Sequence, residues 1–294
     1  MRASQIVLGT ANFGLQYGVK NKRQLSISAV ESILEYCRSA GVCALDTAIG
    51  YGESQRVLGD LGSHDFELIT KLPSLPPQER NVLQWVRGQV LEALRDLKRD
   101  NLYGLLLHRP GELLESRGTE LVEALREAQQ EFNIQKVGVS VYEPQELLDC
   151  WQVFHYDLVQ LPCNVFDQRF TSSPIIDHLQ SRKIEVHARS VFLQGLLLMP
   201  QSSRPPYFGA WANIFDEWSA FVSGCKTTPL EVCLAFASQQ HFVGKWVIGV
   251  DSKDQLLSIL NISESGEVET PADAWGSFAD LPLELISPAR WGLQ

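Results

Sequence analysis

The chain has 294 residues, of which 45% are hydrophobic and 20% are charged, a balance typical of a globular protein and not of a disordered, collagen-like or coiled-coil one. Its 35 acidic residues outnumber its 25 basic ones, so the formal net charge is -10. Because no run of basic residues offsets this charge, the composition argues against binding to nucleic acid or to an anionic membrane.

The sequence also bears on location and on metal binding. No stretch reaches the roughly 18 apolar residues that a membrane-spanning helix needs, and the opening MRASQIVLGT lacks the longer apolar core of a signal peptide. We therefore expect a cytoplasmic protein that makes no membrane contact. The six cysteines lie in apolar segments without C-x-x-C spacing, which predicts buried, unpaired side chains and no metal site.

Short apolar runs alternate along the chain with longer segments of helical periodicity. The predicted strands are 6–9, 42–45, 66–70, 102–107, 136–139, 158–161, 184–187 and 246–248. The predicted helices are 28–40, 53–61, 81–98, 119–131, 144–153, 174–182, 228–240 and 253–260. A long insertion separates the seventh strand from the helix that follows it.

Eight strands and about eight helices in this length predict an α/β fold, the (β/α)₈ barrel. We expect a single domain over residues 1–294 with a C-terminal tail from about residue 271. A doubly wound open sheet is the alternative, since it shares the alternation. That fold usually carries G-x-G-x-x-G after its first strand, and the segment GTANFG at residues 9–14 does not fit.

Four ionisable side chains fall at or just after the carboxyl ends of three successive strands: Asp46, Tyr51, Lys71 and His108. In a barrel these ends share one mouth, where active sites lie. The set suits reduction of a carbonyl group, because hydride addition leaves an alkoxide to which a phenol can give a proton. A lysine ammonium would lower the pKa of that phenol, a carboxylate would keep the lysine charged, and a histidine could hold the carbonyl.

The residues that carry this chemistry resemble the aldo-keto reductase family. Leu45-Asp46-Thr47-Ala48 followed by Tyr51-Gly52 resembles its Asp-Thr-Ala…Tyr-Gly signature, and Lys71 and His108 match its later lysine and histidine in order. The segments at 8–10, 138–140, 160–164 and 249–252 also have family counterparts. The resemblance implies an NAD(P)(H)-dependent oxidoreductase that acts on a small or sugar-like carbonyl compound, with Tyr51 as general acid. We expect it to be a monomer or a small homo-oligomer.

The resemblance further implies a cofactor site extended across the strand ends. Ser140, Gln160 and Asn164 would hold the nicotinamide carboxamide. Gly9, Thr10 and the segment from Ser190 to Gly195, which includes Phe192 and Gln194, would line the ribose and pyrophosphate. The segment from Gly249 to Gln255, which includes Asp251 and Ser252, would receive the adenosine end. NADP(H) is the expected cofactor, and NAD(H) is possible.

Three positions depart from the family pattern. Arg189 stands where many members place an aromatic ring against the nicotinamide; it could stack there or point to the substrate. Val141 replaces a common polar residue. Asp251 lies near a position that is often basic, which would disfavour a 2′-phosphate, although Lys253 and the helix N-terminus could still bind one.

The loops that should wall the substrate pocket are 109–117, 196–211 and the tail after residue 271. Arg109 would favour an anionic or polyhydroxy substrate if it faces inward, and exposure is the alternative. Tyr207, Phe208 and Trp211 could bind a sugar face or an aryl group. Two other functions stay open: a barrel enzyme in which Lys71 forms a Schiff base, as in an aldolase, and a cofactor-binding regulatory barrel with little turnover.

Overall fold

The computed structural model describes residues 1–16, 18–19, 24–264 and 275–292. Across these residues eight parallel strands pair in chain order, and the eighth pairs with the first to close a barrel. The predicted (β/α)₈ barrel is thus confirmed. The strands are β1 (Ile6–Gly9), β2 (Ala44–Asp46), β3 (Glu67–Leu72), β4 (Leu102–Leu107), β5 (Ile134–Ser140), β6 (Leu158–Pro162), β7 (Glu185–Arg189) and β8 (Lys245–Gly249).

Helices surround the barrel, and most follow the predicted spans within one residue at each end. They are α1 (Ala11–Gly14), α2 (Ile27–Ala40), α3 (Ser54–Asp60), α4 (Val82–Leu97), α5 (Gly118–Glu131), α6 (Pro144–Val153), α7 (Ser173–Ser181), α8 (Ala212–Gly224), α9 (Pro229–Gln239), α10 (Lys253–Glu264) and α11 (Leu283–Ile286). The ends agree because the capping residues are local signals. Gly41, for example, ends α2 in the left-handed conformation with φ of 79°, as predicted.

The barrel interior is layered from its amino end to its carboxyl end. At the amino end Glu185 accepts hydrogen bonds from Tyr103 at 2.7 Å and from Lys136, and it contacts His187 at 2.6 Å. An apolar layer above this network is formed by Val7, Ala44, Ile69, Leu106 and Leu158. Because side chains alternate along a strand, the next inward residues stand at the carboxyl ends, where the predicted catalytic residues lie.

The second strand begins two residues later than predicted, at Ala44 instead of Val42. The shift extends the strand to Asp46. It also places Cys43 before the strand, and this cysteine is exposed, against the expectation that all the cysteines are buried. Neighbouring residues point to opposite sides of an extended chain, and Val42 takes the buried side with 2% exposure. Cys225 is half-buried.

The insertion after β7 contains a helix, α8, that is not among the predicted helices. Its buried residues Phe215, Trp218 and Val222 recur at helical spacing. The predicted start of the tail, near residue 271, lies outside the described residues. From residue 275 onward the chain packs on α8 and its flanking loops, with the Phe278 ring 5.7 Å from Trp218.

The aromatic residues expected at the substrate pocket take part in this packing. Phe208 is buried, with its ring 5.0 Å from that of Trp291, and the Tyr207 hydroxyl donates to the Glu284 carbonyl at 3.0 Å. Their apolar surface therefore joins the tail to the barrel. Within the described ranges, no helix is both long enough and apolar enough to cross a membrane.

Candidate active site

Tyr51 lies in the loop between β2 and α3, which is held by close backbone packing. Its N–H donates to the Ala48 carbonyl at 3.0 Å, and its carbonyl accepts from the Ser54 N–H at 3.1 Å. A Cβ atom at Gly14 would lie 2.0 Å from the Tyr51 carbonyl oxygen, and Gly52 has a φ of 55°. Both positions therefore require glycine, which lets α1 touch the backbone that presents the tyrosine.

Hydrogen bonds of three hydroxyl groups hold this loop against the ends of β1 and β2. The Ser54 hydroxyl donates to the Thr10 carbonyl at 2.9 Å and lies 3.2 Å from the Thr47 hydroxyl. The Thr10 hydroxyl lies 2.9 Å from the Ser54 hydroxyl and donates to the Asp46 carbonyl at 3.0 Å. The side chain of Thr10 is thus fully buried and hydrogen-bonded within the protein, and its place beside the cofactor stays a prediction.

Asp46 and Lys71 form a buried ion pair at the carboxyl ends of β2 and β3. The Lys71 Nζ lies 2.5 Å from the Asp46 Oδ2, and the two side chains are only 1% and 4% exposed. Lys71 also donates to the Thr47 carbonyl at 2.9 Å. The other carboxylate oxygen of Asp46 accepts from the Gln160 Nε2 at 2.8 Å. Buried charges need such partners, because leaving one unpaired in the interior costs several kcal/mol.

The structure brings all four predicted catalytic residues together. The Lys71 Nζ lies 5.2 Å from the centre of the Tyr51 ring, and the rings of Tyr51 and His108 meet edge to face at 5.9 Å. Tyr51 and His108 are partly exposed at the mouth, above the buried pair. Among the described residues, none forms a hydrogen bond to the Tyr51 hydroxyl, which leaves that group for a ligand.

The pKa values of Tyr51 and His108 are shifted in opposite directions. Burial raises the pKa of the Tyr51 phenol well above its ordinary value, and the Asp46 carboxylate raises it further, while Arg189 acts in the other direction. The predicted lowering of this pKa by Lys71 is therefore not observed. Burial and the nearby Lys71 charge lower the pKa of His108 to about 4. The imidazole is therefore neutral, and the phenol protonated, at neutral pH.

The three residues assigned to the carboxamide differ in their engagement. Ser140 ends β5 beside Gln160 and is buried. The Gln160 amide is directed at Asp46, so it also positions the ion pair. Asn164 bonds to backbone groups of two loops. Its Oδ1 accepts from the N–H groups of Phe166 and Asp167 in its own loop, and its Nδ2 donates to the Ser190 carbonyl after β7 at 3.0 Å.

The segment after β7 has an unusual backbone. Ser190, Leu193 and Gln194 have φ values of 64°, 48° and 52°, in the left-handed region that non-glycine residues rarely adopt, and Gly195 follows at 86°. Such strain persists only where the surroundings enforce it, and it is commonly found at ligand sites. The bond from Asn164 is one of the contacts that hold this segment. Phe192, also assigned to the cofactor, is half-buried here.

At the far side, β1 and β8 end in a pair of glycines, Gly9 and Gly249, that face each other in register. The loop from Val250 to Ser252 leads into α10, whose first turn contains Gln255. Its Asp251 N–H donates to the Gln255 Oε1 at 2.7 Å, and the Gln255 N–H donates to the Ser252 hydroxyl at 3.2 Å. Their contact with the adenosine end of a cofactor stays a prediction, and the sequence does not indicate which residue supports this loop.

That support comes from Asn12, which the sequence analysis missed. Its Nδ2 donates to the Val250 carbonyl at 2.8 Å and to the Asp251 Oδ1 at 3.1 Å. Tyr142 was also missed, and its ring lies under the guanidinium of Arg189, 4.3 Å from the arginine Cζ. No local pattern marks either residue, because each contact joins separate loops. Arg109, whose orientation was left open, is exposed.

Comparison with known proteins gives a family match and solved structures of the same fold. A model of the Aldo/keto reductase family matches residues 5–272. None of the curated proteins matches the chain. Among solved structures, aldo-keto reductase AKR11C1 from Bacillus halodurans, in its holo form, is 17% identical with a TM-score of 0.73, over 97% of this chain and 95% of that one. The glycerol dehydrogenase AKR11B4 from Gluconobacter oxydans is 19% identical with a TM-score of 0.67, over 97% and 92%.

Proposed function

Because the chain belongs to the aldo/keto reductase family, we propose that it is an NAD(P)H-dependent oxidoreductase that reduces a small or sugar-like aldehyde or ketone to the alcohol. The observation that carries the proposal is the buried pair of Asp46 and Lys71 beneath Tyr51, with His108 at the edge of the tyrosine ring. This is the set of groups that proton transfer to an alkoxide requires.

The described residues fit a nicotinamide nucleotide. The glycine pair of Gly9 and Gly249 leaves the strand ends free of side chains, and the left-handed segment 190–195 offers a rigid backbone beside them. Ser140 would hold the carboxamide, and the N-terminus of α10 with Ser252 and Gln255 would receive the adenosine end of the cofactor. When bound, the reduced nicotinamide supplies a hydride.

Tyr51 acts as the general acid. Hydride addition to the carbonyl carbon places a negative charge on the oxygen, and the Tyr51 hydroxyl gives its proton to that oxygen. The remaining phenolate is stabilised by the Lys71 ammonium, and a proton from solvent restores the phenol. The raised pKa of Tyr51 in the free protein means that the proton is present before each turnover.

His108 orients the substrate in this scheme. Its pKa of about 4 leaves the imidazole neutral, so that it can donate one hydrogen bond to the carbonyl oxygen without adding a second charge beside Lys71. Asp46 and Gln160 act through Lys71 as positioning residues: they hold the ammonium where the phenolate forms.

These pKa directions give a pH prediction. Above about pH 5 His108 is neutral and Tyr51 is protonated, so we expect kcat/KM for reduction to vary less than about threefold between about pH 5.5 and about pH 9. Below that range it should fall as His108 gains a proton. Alcohol oxidation needs the phenolate and should rise with pH throughout. A reduction profile that declines with an apparent pKa near 7 would contradict the assignment of Tyr51.

Cofactor preference turns on Asp251. The family resemblance favours NADP(H), but Asn12 fixes the Asp251 carboxylate before α10, and the Lys253 ammonium lies 5.5 Å from the centre of the Tyr36 ring on α2. A carboxylate there accepts a hydrogen bond from a ribose 2′-hydroxyl and repels a 2′-phosphate. This geometry supports NAD(H) as the preferred cofactor.

Replacing Asp251 by arginine tests this preference. We expect the variant to raise the affinity for NADPH relative to NADH by about tenfold or more, because a guanidinium binds phosphate where the carboxylate repels it. Fluorescence titration with both reduced cofactors measures the ratio. Asp100→Arg makes the same change of charge at an exposed position before β4, at the opposite end of the barrel, and should leave the ratio unchanged. An unchanged ratio in Asp251→Arg would remove Asp251 from the adenosine site.

The geometry does not favour a Schiff-base enzyme. A lysine that attacks a carbonyl must lose its proton, whereas the Lys71 ammonium is held by Asp46 and by the Thr47 carbonyl. Trapping of a substrate on Lys71 by borohydride, without nicotinamide, would revive that alternative. A regulatory barrel would instead bind a reduced cofactor tightly and oxidise it with no carbonyl compound.

One experiment separates these functions. The purified protein is titrated with NADH and NADPH, and each saturated complex is then mixed with a panel of aldoses, ketones and aryl aldehydes while cofactor absorbance is followed. We expect binding of at least one cofactor and its oxidation by members of the panel. Failure of both cofactors to bind would overturn the proposed function.

A further inference from the structure

Arg189 ends β7 at the same mouth as Tyr51 and His108, and its guanidinium is held on two sides. Its Nη2 atom donates to the Val141 carbonyl at 3.0 Å, and the Tyr142 ring lies against it at 4.3 Å. The side chain is half-buried. Arg189 is therefore a fixed cation at the strand ends and not a freely moving surface side chain.

The charge of Arg189 is not neutralised. Among the described residues, none places a carboxylate oxygen within 4.0 Å of its guanidinium, in contrast to Lys71 with Asp46 at 2.5 Å. Glu146, whose carboxylate Arg189 influences, is committed elsewhere, since it accepts from the Tyr142 N–H at 2.8 Å in front of α6. The mouth thus carries the positive charge of Arg189 in addition to the buried pair of Asp46 and Lys71.

This charge acts at the reaction centre. Arg189 is among the groups that lower the pKa of both Tyr51 and His108, so its field reaches both residues. Its contacts with Val141 and Ser190, at 3.0 and 3.5 Å, use two of its five N–H groups. A planar guanidinium in this state binds a carboxylate or phosphate through two parallel hydrogen bonds.

We propose that Arg189 is the specificity-determining residue of the site and that it selects carbonyl substrates bearing a carboxylate or phosphate group. This inference rests on the proposed function, and it names the substrate class of that reaction. An anion on Arg189 would hold the carbonyl between Tyr51 and His108. The cofactor pyrophosphate offers the same chemistry as a competing partner of Arg189, and the experiment distinguishes the two sources.

The test uses matched acid and ester pairs, 4-carboxybenzaldehyde with its methyl ester and 4-oxobutanoate with its methyl ester. For the native chain we expect kcat/KM for each acid to exceed that for its ester by about tenfold or more. Arg189→Gln should lower this ratio by about 10- to 100-fold, mainly through KM for the acid. Arg189→Lys, which keeps the charge, should retain part of the preference.

Arg109→Gln is the matched control, because it removes an exposed arginine next to His108 and should keep the preference. The dissociation constant of the reduced cofactor is measured for every variant. Loss of cofactor affinity in Arg189→Gln, with acid and ester weakened equally, would assign Arg189 to the pyrophosphate and overturn the inference. Turnover of the native chain without preference for the acids would also overturn it, with the proposed function intact. Failure to bind either cofactor would overturn the proposed function itself.

Discussion

Replacing Lys71 by methionine is expected to lower the free energy of unfolding by about 3–5 kcal/mol and to abolish carbonyl reduction. The methionine fills the space of the lysine stem but leaves Asp46 as a buried carboxylate that keeps, among the described residues, only the Gln160 amide as a side-chain partner. The interior cannot hydrate that charge. Urea unfolding followed by circular dichroism measures the loss of stability, and cofactor oxidation measures the loss of rate.

The double variant Asp46→Asn with Lys71→Met separates charge from packing. It removes both charges together, so we expect it to recover more than half of the lost stability while remaining inactive. Lys98→Met is the matched control, because Lys98 pairs with Asp60 at a similar distance, 2.7 Å, with both side chains 58% exposed. It should unfold close to the native midpoint. A double variant as unstable as Lys71→Met would attribute the loss to packing.

This comparison bears on why the pair is there. A buried ion pair is often no more stable than well-packed apolar residues of similar volume, so stability alone does not account for Asp46 and Lys71. Both lie beneath Tyr51, whose hydroxyl has no hydrogen-bond partner among the described residues. The proposed reaction accounts for the pair, because the Lys71 ammonium can stabilise the Tyr51 phenolate that forms only when the proton is transferred.

The parts of the molecule that could be predicted from the sequence are those with local signals. Apolar runs, caps and glycines identified nearly all the elements, and their number and order predicted the barrel. Because a barrel gathers its carboxyl strand ends, the position of Lys71 and His108 after two such strands was enough to place them near Asp46. The helix α8 was overlooked although Phe215 and Trp218 show its period, because a proline-rich stretch precedes it.

The parts that could not be predicted are choices among partners from distant strands. Gln160 was assigned to the cofactor, and the structure directs its amide at Asp46 across the barrel, 114 residues away in the chain. Similarly, the sequence does not indicate that Asn164 donates to the Ser190 carbonyl, while its contact with the nicotinamide carboxamide stays a prediction. Strand position predicts that a side chain reaches the mouth, but distances between loops decide which neighbour it meets.

The same reason explains the direction of the Tyr51 pKa. A lysine in sequence order after a tyrosine suggested a lowered pKa, but the Lys71 ammonium is bound to Asp46 and Thr47. Burial and the Asp46 charge therefore dominate at the phenol. The Lys71 ammonium stabilises Tyr51 only after the phenol has lost its proton, when the phenolate competes with Asp46 and Thr47 for the ammonium.

Tyr51→Phe is expected to reduce kcat for carbonyl reduction by about 10²- to 10⁴-fold while the dissociation constant of the reduced cofactor stays within about threefold of the native value. The substitution removes only the hydroxyl, the group that gives the proton to the alkoxide. Single-turnover oxidation of bound cofactor measures the chemical step. Tyr207→Phe is the matched control, because its hydroxyl donates to the Glu284 carbonyl in the contact with the tail, and it should keep the native rate.

The stability of Tyr51→Phe distinguishes a role in chemistry from a role in the fold. No described residue forms a hydrogen bond to the Tyr51 hydroxyl, so its loss leaves no partner unsatisfied, and the variant should unfold within about 0.5 kcal/mol of the native chain. Lys71→Met should lose rate and stability together, whereas Tyr51→Phe should lose rate alone. A variant that keeps its rate but binds cofactor weakly would place the Tyr51 hydroxyl at the nucleotide and leave the general acid to another residue.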